Sequence, residues 1–384
     1  MRALPSAVFA LGAVSLFMDI ASEMVYPLLP LFLSGVLGAS PALIGLIEGI
    51  AEATASLTKV IGGRISDRAG RRKPLILLGY GLSPLVRPLL ALAQIPAHVL
   101  AVRFVDRIGK GLRTAPRDAL IAEVTPEAQY GRAYGLHRGL DTLGATIGPL
   151  LAALLLPILG FRGVFWISII PALVAVLVIV IWVKETPGRT QGPVAWQWRG
   201  YSRNYWFFLA VAGIFTLGLS SNAFLLLRLQ ELGYSAAQVT LIYAGYNLAY
   251  ALLAYPLGAL GDQIGRQRVV AGGFLIYGLV YLGFGLTDTA IAGLLLMLLY
   301  AVYSAAFEGS ASAYLAELIP AQQKATAIGL YHTMVGLLLF PASAIFGALA
   351  GQYSMSLAFL AGAGFALLAF VLFEFFQRMA WLNS

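Results

Sequence analysis

No cysteine occurs in the 384 residues, which excludes disulfides, thiolate metal sites and cysteine nucleophiles. Charge is scarce as well. Asp, Glu, Lys and Arg make up 11% of the chain, against about 25% in an average globular protein. With 60% hydrophobic residues, that shortage excludes an ordinary soluble fold. No group of His, Asp and Glu has metal-ligand spacing, so no metal site and no cofactor is expected. A nucleophile elbow, a Ser/His/Asp arrangement and a paired-His motif are all missing, so the chain is not expected to be an enzyme. The apolar runs are continuous rather than alternating, which argues against a β-barrel.

What is present is apolar sequence in long blocks. Roughly 230 apolar residues, at about 20 per spanning helix, supply on the order of twelve membrane helices. Shared among twelve, 384 residues leave about 32 for each helix and its loop, so loops are short and no separate soluble domain fits. The runs fall at approximately 7–33, 43–61, 74–94, 98–122, 131–157, 163–183, 204–229, 237–257, 269–287, 290–317, 325–350 and 356–377. The first is no signal peptide, because Asp19 and Glu23 interrupt it and it far exceeds a secretory apolar core.

The formal net charge of +8 belongs to the loops and does not point to nucleic acid. Fifteen Lys and Arg, among them Arg68, Arg71, Arg72, Lys73, Arg189 and Arg266, occupy one alternating set of connections, against Arg162 alone on the other. By the positive-inside rule both termini are cytoplasmic, which places the protein in a plasma (inner) membrane as a multi-pass chain. The longest connection carries Pro187, Gly188, Gly192 and Pro193. It divides the chain into an N-terminal six-helix bundle (1–183), a cytoplasmic linker (184–203) and a C-terminal six-helix bundle (204–384).

The halves repeat. Gly63-Arg-Ile-Ser-Asp67-Arg-Ala-Gly70-Arg71 returns as Gly258-Ala-Leu-Gly-Asp262-Gln-Ile-Gly265-Arg266, 195 residues later. Ala122-Glu123 with Pro126 returns as Ala316-Glu317 with Pro320, 194 residues later. Two anchors at one spacing indicate a duplicated six-helix unit in parallel orientation.

The loop Gly63-x-x-x-Asp67-Arg68-x-Gly70-Arg71-Arg72, with its weaker copy from Gly258, resembles the signature of the major facilitator superfamily. The resemblance covers the whole chain. It implies an all-α integral membrane fold of twelve transmembrane helices in two pseudo-symmetric six-helix bundles, working by alternating access. Span five reads Gly144-x-x-x-Gly148-Pro149, similar to a motif of that family's proton-coupled drug and small-molecule efflux antiporters. Simple helix packing is the competing reading. Span four departs from the family pattern, since Arg103 is followed by Asp106 and Arg107. By the same resemblance, Asp67, Arg71 and Asp118, echoed by Asp262 and Arg266, form a charge relay that acts as a latch. Asp67 is expected to cap span three, while Arg72 and Lys73 are accounted for by the positive-inside rule.

An ionised group in hydrocarbon costs at least about 2.5–3.5 kcal/mol, so the intramembrane charges are informative. Arg103, Asp106, Arg107, Lys110 and Arg113 share an arc of span four, a basic stripe that faces the acids of the same bundle. Asp19 and Glu23 share one face of span one, Glu48 and Glu52 one face of span two, and Glu308 stands alone in span ten. These five acids are the candidates for proton coupling or substrate contact, with structural ion pairing as the alternative reading. Tyr243, Tyr246, Asn247 and Tyr250 cover one face of span eight, and Tyr303 and Phe307 one of span ten. Such faces can receive an amphipathic substrate or simply pack.

The sequence thus describes a secondary transporter, a monomer in the lipid bilayer, with proton-driven export of a small amphipathic organic compound as its function. Proton-coupled uptake of an anionic metabolite or a metal chelate is the alternative, and a membrane enzyme or lipid scramblase the competitor from another class.

Overall fold

The computed structural model describes residues 4–126, 129–185, 201–319 and 324–382. Most of the expected linker, including Pro187, Gly188, Gly192 and Pro193, lies outside the described residues, as does Pro320. Within them the regular structure is helical throughout, as a bilayer requires of a chain that must satisfy its own backbone hydrogen bonds.

The first half holds α1 (Ser6–Val25), α2 (Leu28–Gly35), α3 (Pro41–Ala69), α4 (Lys73–Val86) with a 3-10 extension over Arg87–Leu92, α5 (Pro96–Val124), α6 (Tyr130–Ile167) and α7 (Ile169–Trp182). The second half holds α8 (Arg203–Leu217), α9 (Asn222–Glu231), α10 (Ala236–Ile264), α11 (Arg266–Leu286), α12 (Ala290–Glu317), α13 (Lys324–Gln352) and α14 (Met355–Leu382). Eight stretches are long and apolar enough to cross a membrane by composition alone. One of them, Tyr130–Trp182, runs 53 residues and breaks at Gly160 (φ 63), so it holds two spans. The long helices α3, α5 and α10 complete the twelve; the charges on α3 and α5 are what remove them from a hydropathy reading.

The chain resolves into two compact units. One comprises Met1–Ala39, Ile50–Val194 and Ser235–Asn247; the other comprises Ser40–Gly49, Ala195–Tyr234 and Leu248–Ser384. The two ends of α3, and of α10, thus fall in different units.

In the first unit the apolar core lies where Val8, Leu11, Val14 and Met18 of α1 meet Ile76 and Tyr80 of α4 and Ala172, Ala175 and Ile179 of α7. The second unit is built on rings. Phe215 lies 4.7 Å from Phe274 and 5.0 Å from Tyr277, which stacks on Tyr281 at 4.1 Å. Tyr281 meets Phe359 edge-on at 5.0 Å.

The two units end their third spans alike. A helix C-terminus leaves carbonyls without partners. The Arg162 guanidinium donates to the carbonyls of Ala91 and Ala93. Arg228 donates to those of Phe284 and Thr287.

Candidate functional site

The basic stripe of α5 lines a cavity in the first unit, with α1 and the 3-10 segment after α4 as its other walls. Arg87, Arg103, Arg107, Lys110 and Arg113 face it, together with Asp19, Glu23 and Asp106, so bases outnumber acids by five to three. Pro84 inside α4 precedes the change from α to 3-10 winding, and Arg87 sits at that change.

Arg87 Nε lies 3.1 Å from Asp106 Oδ1, and both residues are buried. The Ser83 hydroxyl donates to the same oxygen at 2.8 Å. Arg113 donates to Ser83 Oγ at 2.9 Å and to the Gly79 carbonyl at 3.2 Å, and its guanidinium lies 4.3 Å from the Tyr80 ring centre. Arg107 is 3.7 Å from Glu52. Arg103 lies over Tyr26 at 5.8 Å. Arg87 and Arg113 thus have partners for their buried charge, the condition under which a guanidinium is tolerated in a membrane.

The span-five motif has a packing role that fixes the position of the acids. A side chain at Gly144 would stand 2.5 Å from the Leu16 carbonyl and 3.1 Å from Asp19 Cβ. One at Gly148 would stand 2.7 Å from the Ile20 carbonyl and 2.9 Å from Glu23 Cβ. Glycine therefore lets α6 lie directly on the acidic face of α1, while Pro149 is accommodated inside the helix. The same approach brings Asp141, three residues before Gly144, to the side of α1 that carries Ser15 and Asp19. Ser15 Oγ donates to Asp141 Oδ1 at 2.6 Å. Arg117 Nη1 lies 3.5 Å from Ser15 Oγ and pairs with Asp118 at 2.9 Å. Asp141 is not among the candidates drawn from the sequence. The signal that finds it is its spacing: Asp141, Gly144 and Gly148 share a helical face.

Glu23 Oε2 is buried with no hydrogen-bond partner among the described residues. Tyr243 packs on Tyr26 at 5.8 Å and on Tyr246 at 5.7 Å. Asn247 donates to the Ala145 carbonyl at 2.7 Å.

Other candidates lie in the second unit. Glu48 is buried and accepts from Ser221 at 3.2 Å. Glu308 is exposed and accepts from the Tyr250 hydroxyl at 2.9 Å. The expected aromatic surface is largely buried. Tyr243, Tyr246, Tyr303 and Phe307 all sit below a tenth exposed, and Phe307 packs on Phe215 and Phe274.

The signature loop departs from expectation in its partners. The buried arginine is Arg72, only 4% exposed, which reaches Asp67 at 2.6 Å and Glu123 at 2.9 Å. Arg71 is exposed, and Asp118 pairs with Arg117 rather than with the loop. Burial works against the Arg72 charge, but the hydrogen bonds to Asp67 and Glu123 outweigh it and raise its pKa further. Asp67 does not cap α4. Glu185 does, accepting from the backbone N–H of Arg72 at 2.8 Å and of Lys73 at 3.4 Å. The duplicate loop repeats the cluster with Arg266 between Asp262 (2.9 Å) and Glu317 (3.2 Å). Gly70 and Gly265 end their helices at φ 60 and φ 96, a left-handed turn that favours glycine. Gly63 lies against Ala115 of α5.

The family model for the Major Facilitator Superfamily matches residues 11–227 and, in a second copy, 206–380. An uncharacterized MFS-type transporter of Methanocaldococcus jannaschii is 34% identical, with 97% of this chain and 96% of that protein aligned. Multidrug resistance protein MdtH of Proteus mirabilis is 27% identical over 66% of this chain and 64% of its own length. Among solved structures, the nucleoside transporter NupG superposes with a TM-score of 0.84 at 13% identity, covering 96% of this chain and 99% of its own. A bacterial homolog of the human lysosomal transporter Spinster reaches 0.81 at 15%, covering 97% and 96%. At those identities the likeness is one of fold.

Proposed function

Because the chain belongs to the Major Facilitator Superfamily, a family of transporters and not of enzymes, we propose that it is a proton-driven exporter of a small amphipathic organic compound. It works by alternating access as a monomer in a bacterial-style plasma (inner) membrane, with both termini and the linker cytoplasmic. The observation that carries this reading is the cavity of the first unit, where Asp19 and Glu23 face Lys110 and Arg107 inside a spanning bundle. An acid there can take a proton from one compartment and release it to the other. The partial likeness to a multidrug resistance protein supports export as the direction. The paired Asp–Arg–Glu clusters are the gating elements on the cytoplasmic side.

The excess of bases over acids in the cavity favours one second reading, uptake of an anionic metabolite or metal chelate with a proton. Purified protein in liposomes separates the two. If an imposed pH gradient drives amphipathic cationic dyes against the proton flow, the exporter reading stands. If it drives carboxylates with the proton flow, the uptake reading replaces it. Indifference of every compound to the gradient contradicts both.

A further inference from the structure

Most of the charges around the cavity are already answered by the protein. Arg87 pairs with Asp106, Arg107 faces Glu52, Arg113 donates to Ser83 and to the Gly79 carbonyl, and Arg103 lies over the Tyr26 ring. Asp106 takes a second hydrogen bond from Ser83. Two lining groups differ. Lys110 is exposed, and its ammonium makes no hydrogen bond or ion pair among the described residues. Glu23 Oε2 is buried and has no hydrogen-bond partner among them either. Base and acid line one cavity, yet no ion pair joins them.

Close packing fixes the backbone under both groups. On α1, a side chain at Gly148 of α6 would stand 2.9 Å from Glu23 Cβ. On α5, the neighbours of Lys110 are Gly109 and Gly111. They lie so near Gly79 of α4 and Thr58 of α3 that neither has room for a Cβ.

A charge left unanswered away from water is costly, so a ligand that brings the opposite charge is favoured. A purely cationic ligand would answer Glu23 and strand Lys110. A purely anionic one would answer Lys110 and strand Glu23. A ligand that carries both charges strands neither. The same lining offers Val25, Tyr26, Leu90 and Val102 to an apolar body.

We infer that the transported compound is an amphipathic zwitterion, its anionic group held by Lys110 and its protonated amine by Glu23. The inference rests on the reading of this cavity as the transport site, and it narrows the substrate class. Asp19 is left to the proton.

Calorimetric titration of the purified protein with a matched set of compounds tests the class. Phenylalanine and β-phenylalanine carry both charges at two spacings, phenylpropionate carries only the carboxylate, and phenylethylamine only the ammonium. One of the amino acids should bind about tenfold or more tighter than either single-charge compound, the worth of a hydrogen bond to a charged group. Lys110→Met should bring that amino acid down to the level of phenylethylamine, and Glu23→Gln to that of phenylpropionate. A single-charge compound that binds the wild-type protein as tightly as both amino acids overturns the class without any variant having to fold. So does the failure of both amino acids to bind, or a preference for them that survives in both variants. Binding needs no gradient, so the class and the export reading fail separately. If an amino acid is preferred but no pH gradient moves it in liposomes, proton-driven export fails and the class stands. If the gradient drives phenylethylamine against the proton flow and neither amino acid is preferred, export stands and the class falls.

Discussion

The two units hold themselves together by different means. The first buries charge, setting Arg87 against Asp106 and Arg113 against Ser83. The second buries rings, from Phe215 through Phe274 and Tyr277 to Tyr281 and Phe359. Between helices in lipid the hydrophobic effect is absent, so association rests on close packing and on polar contacts. Aromatic packing is the cheaper of the two solutions, since it needs no desolvated charge. Under the proposed function the proton chemistry belongs to the first unit and the frame to the second.

The largest expected effect breaks the ionic side. Arg87→Met leaves Asp106 buried without its main partner and should cost about 3–5 kcal/mol of stability. The double variant Arg87→Met/Asp106→Leu should recover much of it, because no charge is then stranded. Thermal unfolding in detergent reads both, and a double variant weaker than the single would show that the pair does more than answer its own charge.

A smaller contrast sets the two loop clusters against each other. Arg72 is nearly inaccessible, whereas the Arg266 side chain is 33% exposed. Arg72→Gln should cost about 1–3 kcal/mol, the penalty of stranding partly buried acceptors. Arg266→Gln should cost about 0.2–1 kcal/mol, as for exposed ion pairs. Equal losses would mean that the clusters do the same structural work despite their different burial.

The smallest effect belongs to the ring-built unit. Tyr281→Phe removes the 2.6 Å hydrogen bond to Ser220 and leaves the stack intact. The expected loss is about 0.5–1.5 kcal/mol, measured by the same unfolding. A loss on the scale of Arg87→Met would erase the contrast between the units.

How much of this was legible beforehand depends on how far apart the partners lie. Spans announce themselves locally, and even the polar ones, α3 and α5, contain apolar runs at 43–61 and 98–122. The stripe on α5 followed from helical periodicity. What periodicity could not give is which residue of a pair turns inward. Around the left-handed turn at Gly70, a shift of one place puts Arg72 rather than Arg71 into the cluster, while the duplicate uses Arg266. Nor could it show that Tyr303 and Phe307 are buried against neighbouring rings. Asp141 was within reach, since two glycines on its face mark the side on which another helix must lie. Glu185 as the cap of α4 had no local sign, for its target lies more than a hundred residues upstream.

The division of labour between the units can be tested in one set of liposomes, by measuring pH-gradient-driven accumulation beside gradient-free substrate exchange. Asp19→Asn in the first unit should abolish accumulation and retain exchange, because exchange needs no proton release. Glu308→Gln in the second should retain both. Accumulation that persists in Asp19→Asn and vanishes in Glu308→Gln would place the proton in the ring-built unit and contradict the account.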